Sequence, residues 1–105
     1  MKNEKVQELI EMINNMETKD KLRLGVCMSS SSYTKLKYNK AHIHSIFDNK
    51  LKKIDNEYLV SYINMRKYPI LTFAMAKIME MTEQEQNQVA LYLVNALCNT
   101  NETKK

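Results

Sequence analysis

At 105 residues with 44% hydrophobic side chains, the chain is long enough for one domain whose core needs neither disulfide nor metal, and too apolar for global disorder. Its formal charge of +4 is modest, and one glycine, Gly25, with one proline, Pro69, leaves few residues for the tight hairpins of an all-β fold. An all-α domain is expected, and because no apolar run resembles a signal peptide or a membrane span, a cytoplasmic one.

In chain order, Asn3 to Met16 places Val6, Leu9, Ile10, Ile13 and Met16 on one helical face and predicts a first helix. Thr18 or Asp20 is a suitable cap for a second, from about Lys21 to Met28, with Leu22 and Val26 turned to the core. Cys27 and Cys98, both in apolar surroundings, read as buried reduced thiols. The serine run Ser29 to Ser32 competes for backbone hydrogen bonds and reads as a loop.

Beyond it, Ala41, Ile43, Ile46, Phe47 and Leu51 form an incomplete helical pattern. His42 and His44, two residues apart, do not share a helical face, so no metal site is expected there. Ile54, Tyr58, Leu59, Tyr62 and Ile63 make a clearer amphipathic set with Asp55 as N-cap, and Pro69 ends that helix near Asn64. The competing pattern is a β-wing, with strands at Tyr58 to Ile63 and Tyr68 to Phe73.

Leu71 to Met81 is apolar on most sides, as in a helix at the centre of a small domain. Thr82 and Glu85 match a capping box that opens a last helix through Cys98. Its stretch from Val89 to Cys98 is apolar on nearly all sides and suggests a homodimer, while Asn99 to Lys105 reads as a disordered tail after a single domain over 1–98.

The charge is concentrated. Between Thr34 and Lys67, eight cations (Lys35, Lys37, Lys40, Lys50, Lys52, Lys53, Arg66 and Lys67) face only Asp48, Asp55 and Glu57, which points to a polyanionic partner. No catalytic site or cofactor is indicated. The serine run lacks the glycines of a nucleophile elbow, and the lone Gly25 rules out a glycine-rich phosphate loop. The carboxylate pairs Asp55/Glu57 and Glu83/Glu85 sit where helix starts favour negative charge.

Leu59, Tyr62, Asn64, Arg66, Lys67 and Pro69 fall at the spacings found at the end of the recognition helix, and in the loop after it, of phage-repressor and Cro-type helix-turn-helix domains. The stretch resembles that family, and the two helices that follow look like its fourth and fifth. Met65 stands where the family usually has glycine, and no glycine precedes Ile54. The resemblance implies a small five-helix, helix-turn-helix-like domain that binds double-stranded DNA as a dimer.

Under it, the helix 55–64 would enter the major groove with Asn56, Glu57, Val60 and Ser61 near base edges, and Asn64 would be a further DNA-binding residue. Lys52, Lys53, Arg66 and Lys67 would hold phosphates. A composition rich in Lys, Asn, Ile and Met suits an AT-rich bacterial genome, or a phage or plasmid, so a regulator or accessory factor is expected. The alternative is an interaction protein that inhibits a host protein through a basic, tyrosine-rich face of Tyr33, Tyr38, Tyr58, Tyr62 and Tyr68.

Overall fold

The structure, a computed structural model, describes residues 4–32, 34–36, 40–58 and 63–103, the stretch from 98 onward by its backbone alone. Its five helices are α1 (Glu4–Asn14), α2 (Thr18–Ser30), α3 (Lys40–Ile54), α4 (Pro69–Met79) and α5 (Glu83–Thr103), with a 3-10 turn at Met65–Lys67. Among the described residues there is no strand, and no helix is long and apolar enough to cross a membrane.

The centre of the fold is α2. It packs against α3, α4 and α5, and buries Leu22, Leu24, Val26, Cys27 and Met28 on several sides, while α1 closes the other side against α4 and α5 with Val6, Leu9 and Ile13. At Gly25 the approach is close: a Cβ there would lie 2.5 Å from ring carbons of the buried Phe47 of α3. Glycine is therefore required for space, where its poor helix propensity would otherwise disfavour it.

Several expectations change. Ser29 and Ser30 belong to α2 and are not loop; the Ser29 hydroxyl satisfies itself within the helix by donating to the Gly25 carbonyl at 2.8 Å. Neither Thr18 nor Asp20 caps α2. The N-cap is Glu17, without a side-chain bond, and Asp20 is committed to Arg23 one turn on.

The helix expected from Asp55 to Asn64 is corrected at both described ends. Asp55 to Tyr58 forms a turn, closed by the Tyr58 amide on the Asp55 carbonyl at 3.1 Å, and Ile63 and Asn64 are not helical; 59–62 lie outside the described residues. The cause is long-range. Asp55 gives one carboxylate oxygen to Arg23, and the buried Tyr58 hydroxyl donates to Asp48 at 2.5 Å, which turns the chain back onto α3.

The β-wing fails because Pro69 to Phe73 are the first residues of α4. Pro69 opens that helix, where its missing N–H costs nothing. Nor is α4 central: Leu71, Ala74, Met75 and Ile78 are buried, but Ile70, Phe73 and Met79 are exposed, Phe73 by 57%.

The capping box forms as expected. The Thr82 amide donates to Glu85 Oε1 at 2.8 Å and the Glu85 amide to Thr82 Oγ1 at 3.1 Å. In α5 the residues Val89, Ala90, Leu93 and Leu97 are consumed by the protein's own core, and the helix runs on to Thr103, beyond its expected end near Cys98.

Candidate functional site

Three of the sequence-predicted site residues, Glu57, Asn64 and Lys67, meet at one corner, built where α2, the end of α3 and the 3-10 turn before α4 come together. Arg23 is its hub. Its Nη1 donates to Asp20 Oδ1 at 2.8 Å, its Nη2 to Asp55 Oδ2 at 2.9 Å, and its guanidinium lies 4.2 Å from the centroid of the Tyr68 ring. Asp55 uses its second oxygen to accept from the Glu57 amide at 3.1 Å.

Burial alone would raise the Asp55 pKa. The hydrogen bonds from Arg23 and Glu57 outweigh it, together with the charges of Arg23 and Lys19, and hold the carboxyl below its ordinary value. Burial likewise works against the Arg23 charge, and its two carboxylate partners reverse that and raise its pKa. Both groups are ionised at neutral pH and largely cancel each other.

This network lines a pocket of about 140 Å³ together with Tyr58, Ile63 and Tyr68. Glu57, Asn64 and Lys67 line it as well, all three exposed, so they stand at its rim. Asn64 Oδ1 accepts from the Arg66 amide at 3.2 Å and thereby caps the 3-10 turn that presents Arg66 and Lys67 to solvent. Three of the nine predicted site residues thus share one cavity.

The others are dispersed around it. Asn56 is exposed in the turn after α3. Lys53 is exposed and lines a second hollow, with Lys50 and Ile54. Lys52 pairs with Asp48 at 3.2 Å, so its charge is partly spent inside the protein. Lys53, Arg66 and Lys67 form no ion pair among the described residues. Val60 and Ser61 lie outside the described residues.

Elsewhere in the basic block, Lys40 is structural: its ammonium donates to the carbonyls of Ser31 and Thr34. The backbone of Lys35 is held by Gln86 and Asn87 of α5. Of the tyrosine-rich face, Tyr58 is buried and Tyr68 half-buried against Arg23, while Tyr33, Tyr38 and Tyr62 lie outside the described residues. His42 is exposed, and His44 shares a 3.0 Å hydrogen bond with the Ser29 hydroxyl.

Arg23 matches no motif, and pattern reading passes over it. The available signal was a lone cation inside the apolar run Leu22 to Met28, with Asp20 three residues before it, since a charge in such a run requires a partner. No protein-family model, curated protein or solved structure matches the chain.

Proposed function

We propose that the chain is a small DNA-binding protein, a cytoplasmic regulator or accessory factor of the kind phages and plasmids encode, acting as a homodimer. The observation that carries this is the set of exposed cations Lys53, Arg66 and Lys67, which have no carboxylate partner among the described residues, while Arg23, Asp20 and Asp55 are paired with one another. Because those carboxylates are committed to Arg23, the outer cations are available to phosphates. Since Asp55 to Tyr58 form a turn, the first contacts are to the DNA backbone, and Asn56, Glu57 and Asn64 are the polar side chains nearest to base edges.

The test is a fluorescence-anisotropy titration of duplex DNA at several salt concentrations. Three phosphate contacts per protomer give the homodimer a slope of log K against log salt of about −5, and Arg66→Ala/Lys67→Ala reduces its magnitude by about 4. Absence of binding at low salt, on the order of 50 mM, overturns the proposal in favour of a protein contact.

A further inference from the structure

We propose that the pocket beside Arg23 holds a single unpaired nucleobase. The inference rests on the DNA-binding reading and names what one part of that surface recognises. Drug-sized ligands fill cavities of roughly 300–1,000 Å³, so a pocket of about 140 Å³ has room for one planar ring system and not for a large cofactor.

Its chemistry is that of a base site. Tyr58, Tyr68 and Ile63 supply aromatic and apolar wall, as a flat heterocycle requires. Asn64 has committed its carbonyl oxygen to the Arg66 amide, so its Nδ2 remains to donate to a ring nitrogen or carbonyl. The Glu57 carboxylate, whose own amide is held by Asp55, is an acceptor for an exocyclic amine or ring N–H. Donor and acceptor at one rim match the mixed edge of a base and would be wasted on a bare anion.

Two further observations fit. Arg66 and Lys67 lie two and three residues after Asn64 and are exposed, which puts cations where the phosphates flanking an extruded base would run. Arg23 lines the pocket with its Nε–H buried and without an acceptor among the described residues, a donor that the fold leaves unmet.

The experiment compares three labelled probes by anisotropy: a paired duplex, the same duplex with one bulged base, and that bulge reduced to an abasic sugar. The bulged probe should bind about tenfold tighter than the duplex, and the abasic probe should lose that advantage. Glu57→Gln and Asn64→Ala should each bring the bulge-to-duplex ratio toward one, with unchanged circular dichroism showing that the fold persists. Equal binding of bulged and abasic probes overturns the base pocket and leaves DNA binding intact, as does a preference that survives both substitutions. Failure of all three probes to bind removes the DNA-binding reading itself.

Discussion

At Arg23 and Asp55 two opposite charges are taken out of water, which is tolerable only because each finds several partners: Asp20, Asp55 and the Tyr68 ring for the guanidinium, Arg23 and the Glu57 amide for the carboxylate. Asp55 is 6% exposed, so removing its charge strands Arg23. Asp55→Asn should cost about 3 kcal/mol at pH 7, the low end for breaking a buried pair, because Asp20 still holds one side of the guanidinium. The pH dependence follows from the sign of the shift. The folded pKa lies below the unfolded one, so the unfolded chain takes up the proton first. The stabilisation is therefore complete above about pH 4 and is lost as pH falls through the folded value. Urea unfolding should show a steep acid loss in the wild type and a shallower one in Asp55→Asn, and identical acid limbs would exclude Asp55 as its source. Cys27 shows burial acting without compensation: its thiol is pushed up to about 11, which makes it an inert filler of the core.

Among the elements, α2 and α3 come into close contact at Gly25, which permits it. Gly25→Ala gains helix propensity of up to about 1 kcal/mol but drives a methyl to 2.5 Å from the Phe47 ring, which is 1% exposed and has no free space to enter. Overpacking of this kind costs about 1–3 kcal/mol, so the variant should melt lower than the wild type. Adding Phe47→Leu should restore part of the loss, and a Gly25→Ala protein that melts higher would show that α2 and α3 can slide apart. The same helices show what pattern reading can and cannot find. Features decided within one or two turns were legible: the apolar face of α1 and the Thr82–Glu85 capping box. The turn at Asp55 was not, because Asp55 is chemically a good N-cap and only Arg23, 32 residues earlier, diverts it. For the same reason Asn64 and Lys67, which line the pocket, were singled out by pattern, while Arg23, its hub, was passed over.

Across the whole molecule, the basic corner and the exposed side of α4 are contiguous. Lys67 lies two residues before Pro69, the first residue of α4, and Ile70 and Phe73 follow within its first turns. Most of the apolar excess expected of α5 is spent in the core, although Leu91 stays exposed; α4 exposes Phe73 on its outer side, with Ile70 and Met79 on its two flanks, and is the surface that offers itself for self-association. If two copies pair there, their basic corners lie on the same assembly, and two neighbouring stretches of DNA backbone can be held at once. Each corner then raises the effective concentration of the other, so that dimerisation and DNA affinity are coupled. Phe73→Glu separates the two. Phe73 is outside the core and the Lys77 ammonium lies 5.1 Å from its ring centroid, so a carboxylate there should leave the melting temperature nearly unchanged. In a facing pair of helices the same carboxylate would be buried against apolar surface, a position that unpaired charges do not tolerate. Sedimentation equilibrium should therefore give a dimer for the wild type and a monomer for Phe73→Glu, and the variant's salt dependence of DNA binding should fall to about half the wild-type slope because half the phosphate contacts are lost. A wild type that sediments as a monomer would exclude α4 as a self-contact, and a monomeric variant with the full slope would show that one corner alone accounts for the binding.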